Sequence, residues 1–192
     1  MKTSLCASVL IVLTAALVGC SSLVSIDMRN KPTQPKSSET ATASVRMSTA
    51  QLKVAAILKK RGVQLIRLGE TERLVLSSDD LFQPDSANLR PSGKKTLCAT
   101  ARYLKTYDKS MIKIASYSDN RGTVKRLAAL TVRQSQIVLD YLWARGVDAR
   151  LVYATGHNRL NPVDFNNMPY GRHYNRRVEI SFFFIPKVRA YD

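Results

Sequence analysis

Gly171-Arg172-His173-Tyr174-Asn175-Arg176-Arg177-Val178-Glu179-Ile180, running on through Ser181-Phe182-Phe183-Phe184-Ile185, is the stretch that decides the fold of this 192-residue chain. Arg177 to Ile185 is rich in Val, Ile and Phe and reads as a final, buried strand. A short helical piece precedes it. Further upstream, Leu151 to Thr155 reads as a strand. Thr123 to Arg145 is a long amphipathic helix with Leu127, Leu130, Ile137, Tyr141 and Leu142 at helical spacing, ended by Gly146. Met111 to Tyr117 alternates as a strand, and Pro91 to Tyr107 reads as a helix. Val63 to Leu68 and Arg73 to Leu76, around Gly69-Glu70-Thr71, form a hairpin. Thr49 to Arg61 reads as a short helix capped by Thr49 and ended by Gly62. Strands separated by helices make an α+β layer sandwich with crossover connections.

The N-terminal segment has a different logic. Met1-Lys2 is followed by an apolar run from Leu5 to Leu17, too short to span a bilayer, which needs about 20 residues. This is the composition of an export signal. It ends Leu17-Val18-Gly19-Cys20, which resembles the lipobox of bacterial lipoproteins and makes residues 1–19 a signal peptide and Cys20 the lipidation site. Residues 20–48 are Ser/Thr-rich, with Pro32 and Pro35, and read as a flexible tether. Ser21 and Ser22, with no aspartate after the cysteine, resemble a lipoprotein sent to the periplasmic face of the outer membrane.

The chain carries 30 Lys+Arg against 14 Asp+Glu, a net charge of +16. Such a balance ordinarily raises nucleic acid as a partner, but export excludes it. Anionic lipid head groups, cell-wall carboxylates or an acidic protein fit better. Cys6 leaves with the signal and Cys20 takes the lipid, so Cys98 has no partner for an internal disulfide; it reads as a buried, inert thiol.

Several segments line up with one family. Phe82 with Asp85-Ser86-Ala87-Asn88-Leu89 comes first, then Ser118-Asp119-Asn120-Arg121-Gly122, Leu130-Thr131, Tyr141-Leu142 and Gly146-Val147. Gly156 and Asn161-Pro162 with Asn166 follow, and Gly171 to Ile180 closes the set. In this order they resemble the OmpA-like C-terminal domain over residues 62–186, between the 49–61 helix and a tail at 187–192. The resemblance implies a mixed sheet packed by helices on one face. It also implies non-covalent binding of the peptidoglycan stem peptide, whose diaminopimelate residue is held between an aspartate and arginines. Asp119 matches the family's aspartate and would take the ligand ammonium; its alternative is a turn or cap residue. Arg176 matches an arginine of the closing motif and would take a carboxylate through paired hydrogen bonds; its alternative is a structural pair with an acidic neighbour. Asn120 is more suited to turn chemistry than to ligand contact. Gln134 stands where the family has an arginine in the long helix, and Arg133 lies about 100° away around that helix. Arg133 or Gln134 would therefore complete a weakened site.

Two functions follow. One is a wall anchor for the membrane or for an envelope-spanning secretion machine. Size, layout and the Tyr141-Leu142-Trp143 helix end resemble the small basic lipoprotein of type IVB secretion systems. The other is a degenerate domain that has become a protein-interaction subunit of such a complex. Catalysis is not indicated: His157 and His173 are the chain's two histidines, and neither has a Ser, Cys or Asp partner at motif spacing. No cofactor is implied, and two histidines with one spare thiol do not make a metal site.

Overall fold

The computed structural model describes residues 47–185. The signal, the lipid attachment at Cys20, the tether up to residue 46 and the 187–192 tail lie outside the described residues.

Helix α1, Thr49–Lys60, starts from a capping box. Ser48 Oγ accepts from the Gln51 N–H, and the Gln51 side chain accepts from the Ser48 N–H. The cap is thus one residue before the expected Thr49, because only Ser48 has Gln51 three positions on. Ala55 and Leu58 are its buried residues. Strands β1 (Gln64–Leu68) and β2 (Thr71–Ser77) form the expected antiparallel hairpin. At the end of β2, Ser77 caps a single helical turn, α2 (Ser78–Leu81).

Helix α3, Pro91–Leu104, begins on its proline and stops three residues before Tyr107. The Thr106 hydroxyl donates to the Tyr103 carbonyl at 2.6 Å and closes the end. Tyr107 then turns its ring onto Tyr103 and Phe182, with centroids 5.2 and 5.0 Å away. Strand β3, Lys109–Tyr117, leads to α4, Val124–Ala144, whose cap is Thr123. Strand β4 (Leu151–Gly156), helix α5 (Pro169–Asn175) and strand β5 (Arg177–Phe184) complete the order.

The sheet runs β1-β2-β5-β3-β4. Its β3–β4 pair is parallel and the other pairs antiparallel. A parallel pair needs a crossover, and α4 supplies it. The last strand is therefore inserted next to the first hairpin, which is why its core-facing residues Val178, Ile180 and Phe182 are fully buried. They meet Leu74, Leu76, Ile112 and Ile114 from neighbouring strands, and Leu58, Leu97, Leu104, Val138 and Leu142 from the helices. The layer sandwich with helices on one face is as expected. Gly156 fits α4 against β4: an added Cβ would lie 2.4 Å from the Val132 nitrogen and 2.7 Å from Thr131 Oγ1. Among the described residues three acids are buried, Glu72, Asp119 and Glu179. Glu72, 2% exposed, accepts from Arg67 at 2.7 Å and from the Tyr103 hydroxyl. Burial, with the Glu72 charge adding to it, pushes the Tyr107 phenol to about 12.

Cys98 departs from expectation. It is half-buried rather than buried, and Arg145 Nη1 reaches its Sγ at 3.3 Å. Among the described residues no helix is long and apolar enough to cross a membrane.

Candidate ligand-binding cavity

Strand register builds the site. Ser77 of β2, Arg177 of β5 and Tyr117 of β3 pair in one row across the sheet. The residues just beyond that row, Ser78-Asp79, Arg176 and Ser118-Asp119, therefore meet at one end of the sheet although about a hundred positions separate the first from the last. The α2–α3 connection and α4 wall off a cavity of about 540 Å³ over them.

Arg176 is the centre. Its Nε and Nη2 donate to the two oxygens of Asp79 at 2.8 and 2.7 Å, a bidentate pair. Its Nη1 donates to Asp119 Oδ2 at 2.6 Å. The Asp79 hydrogen bonds, the largest influence, hold the Arg176 guanidinium well above its ordinary range. Burial works against ionisation of Asp79, yet its hydrogen bonds to Arg176 and His173 hold it below the usual carboxylate value. His173 Nδ1 lies 2.8 Å from Asp79 Oδ2.

Asp119 is 4% exposed, and its other oxygen accepts from the Arg121 N–H at 2.9 Å. This is an Asx turn between β3 and α4. The structure thus places both Asp119 and Arg176 on the cavity, and each also fills its alternative role, a turn acid and an acid-paired arginine. Arg176 has five N–H donors and uses three, so two remain for a ligand.

The other expected residues divide. Gln134 lines the cavity, but its Nε2 donates to the Ser86 carbonyl at 2.9 Å. It braces the α2–α3 connection. Arg133 is not on the cavity wall; it lines a neighbouring groove with Asp85, Ser86 and Asn88, as its offset around the helix dictates. Asn120 is exposed and outside the lining.

Three further charged residues of the wall, Asp79, Arg90 and Arg126, belong to none of the sequence motifs, and two more, Asp85 and Arg121, stand in the motifs without an expected role. Arg126, Leu130 and Gln134 are four residues apart along α4 and form one stripe facing the cavity. Arg126 Nη2 reaches Asp85 Oδ2 at 3.4 Å, and both side chains are exposed. The signals were present: Ser77-Ser78-Asp79-Asp80 is a capped helix start with acids in its first turn, and Arg126 continues a visible helical stripe. Among the described residues no group of three His, Cys, Asp or Glu could hold a metal ion.

Residues 81–176, half of the chain, match the model of the OmpA family. The chain belongs to the OmpA family. The resemblance read from the motifs therefore stands at family level. Among OmpA-family relatives, the probable lipoprotein YiaD of Escherichia coli K12 is 30% identical over 135 residues, covering 70% of this chain and 62% of that one. The peptidoglycan-binding protein ArfA of Mycobacterium tuberculosis is 37% identical over 99 residues, 52% of this chain and 30% of its own. The chain thus spans less than two thirds of the length of either. Among solved structures, the cell wall anchor of the T6SS from Pseudomonas aeruginosa superposes with a TM-score of 0.63 at 28% identity, over 71% of this chain and 97% of that one. Their names are those of a lipoprotein, a peptidoglycan-binding protein and a cell wall anchor, not of enzymes.

Proposed function

We propose that this domain binds the peptidoglycan stem peptide non-covalently and that Cys20, lipidated, ties it to the periplasmic face of the outer membrane. The protein would then anchor the membrane, or an envelope-spanning secretion machine of type IVB kind, to the cell wall. The observation that carries the proposal is the Asp79–Arg176–Asp119 cluster at the base of a charged cavity in an OmpA-family domain. Wall-related names among the relatives support it.

The electrostatics divide the labour. Two carboxylates surround one guanidinium, so the base of the cavity is locally anionic and suits the ligand ammonium. Asp119 and Asp79 take that ammonium, and Arg176 chiefly holds the two acids in place. The ligand carboxylate goes to the α4 rim, where Arg126 and Arg121 stand by the positive end of the helix. Arg126 thereby replaces the arginine that Gln134 lacks, two turns further along the same stripe. Catalysis, a metal and a cofactor have no part in this scheme.

A second reading rests on Gln134. Its bond to the Ser86 carbonyl occupies the position of a ligand-binding arginine, which is what a domain turned into a protein-interaction subunit would show. Titration of the full chain with a free diaminopimelate-containing stem tripeptide, and with the same peptide amidated on its side-chain carboxylate, decides between them. Anchoring predicts that Asp119→Asn abolishes binding of both peptides and that Arg126→Gln removes only the preference for the free acid. Absence of binding by the unaltered chain would sink the anchor in favour of the interaction subunit.

A further inference from the structure

Resting on that reading of the cavity, we propose that the α5 rim is a second subsite, an aromatic ledge that takes the amino-sugar backbone to which the stem peptide is attached. Five aromatic side chains are exposed among the described residues, and three of them, Phe165, Tyr170 and Tyr174, lie in one ten-residue stretch. They are 75%, 58% and 52% exposed. Exposed apolar side chains scattered singly are ordinary, whereas three aromatic ones gathered in one short stretch mark an interaction surface.

The backbone that exposes them is tightly built. Asn175 is fully buried. Its Oδ1 accepts from the N–H groups of residues 163 and 164 at 2.8 and 3.1 Å. Its Nδ2 donates to the carbonyl of residue 164 at 2.8 Å and to the side chain of residue 166 at 2.9 Å. Gly171 lets the Phe165 carbonyl approach so closely that an added Cβ would lie 2.1 Å from it. The exposure of Phe165 is therefore imposed by the fold, and rigid aromatic groups bind at low entropic cost.

The ledge is continuous with the cavity. Tyr170 and Tyr174 are one turn apart on α5 and share a face. The Tyr174 ring stands edge-on to His173 at 5.7 Å, and His173 in turn contacts Asp79 on the cavity wall. The two rims differ in chemistry. The α4 rim carries Arg121 and Arg126, whereas the α5 rim adds aromatic faces with phenol hydroxyls beside Arg172 and His173. Pyranose rings present flat C–H faces and hydroxyl edges, which match the second rim and not the first.

The test compares two soluble probes on the full chain: a free stem tetrapeptide and the same tetrapeptide carried on its disaccharide. The expected result is that the unaltered chain prefers the disaccharide-peptide by about tenfold, the value of one good aromatic contact set. Tyr170→Ala/Tyr174→Ala should erase that preference and leave the free tetrapeptide bound as before, while Tyr170→Phe/Tyr174→Phe should retain most of it. Equal affinity of the unaltered chain for both probes would overturn the ledge while leaving the stem-peptide site standing. Equal weakening of both probes by the double alanine variant would overturn it too, since the tyrosines would then be supporting the cavity. Failure to bind either probe would remove the stem-peptide reading and the ledge with it.

Discussion

Replacing Arg176 with glutamine tests how the cavity is held together. Three charge-assisted hydrogen bonds disappear, but they are not equal. The Asp79 side chain is 37% exposed, so water takes over its oxygens and the loss there is about 0.5–1 kcal/mol. The Asp119 side chain is 6% exposed and keeps only the Arg121 N–H. Orphaning a buried carboxylate costs about 3 kcal/mol. The sum is about 3–4 kcal/mol, read as a fall of roughly 10 °C in Tm for a domain of this size. Urea unfolding of the Arg176→Gln, Asp119→Asn and double variants forms a cycle. The amide introduced by Asp119→Asn keeps an acceptor for the Arg121 N–H and has no charge to strand, so the double variant should regain about half of the loss. The pH dependence has a definite sign. Asp79 titrates below its ordinary 3.8 when folded, so its pairing contributes stability above that value and loses it as pH falls through the folded pKa. The gap between the unaltered chain and Arg176→Gln should therefore narrow below about pH 4. A loss under about 1 kcal/mol at pH 7, or a double variant no more stable than Arg176→Gln, would refute the reasoning.

Gly156→Ala should cost about 2–4 kcal/mol in chemical denaturation, because the new methyl meets α4 backbone that cannot move aside. Asn175→Ala should cost about 3 kcal/mol and make residues 161–168 susceptible to limited proteolysis. Burial, with the Lys113 charge adding to it, holds the His157 imidazole below its ordinary 6.5. The unfolded chain then takes the proton first, so stability should fall as pH drops through 6.5, and His157→Phe, which keeps the stacking on Tyr117, should flatten that slope. Arg126→Gln, at an exposed position, should leave Tm within a degree or two while weakening the stem peptide about tenfold in calorimetry.

Much of this was legible in the sequence because periodicity and local chemistry agree. The α4 stripe, the Gly69 hairpin and the Val/Ile/Phe-rich β5 each followed from neighbouring residues. What escaped notice is non-local or short. Helix α2 is four residues long and carries no hydrophobic period; its capped, acidic start marks a helix end but not a partner for Arg176. The Asp79–Arg176 pairing spans 97 positions and depends on β5 inserting between β2 and β3, which no local pattern announces. Asp119 was found from its motif, but the sequence could not say that its oxygens already have two protein partners. Arg133 adjoins Gln134 in sequence, yet helix geometry puts it in the next groove. Cys98 directly follows the fully buried Leu97, yet it is only half-buried beside Arg145. The signal, the tether and the lipidated Cys20 rest on composition and a resemblance, outside the described residues.

The most direct test of wall anchoring is co-sedimentation of the full chain with purified insoluble sacculi, beside Asp119→Asn and Arg126→Gln, at low and moderate salt. The expected result is sedimentation that survives moderate salt, is lost in Asp119→Asn and is weakened in Arg126→Gln. Sedimentation that salt removes and Asp119→Asn leaves untouched would contradict it, because the +16 charge alone would then be holding the protein to the wall.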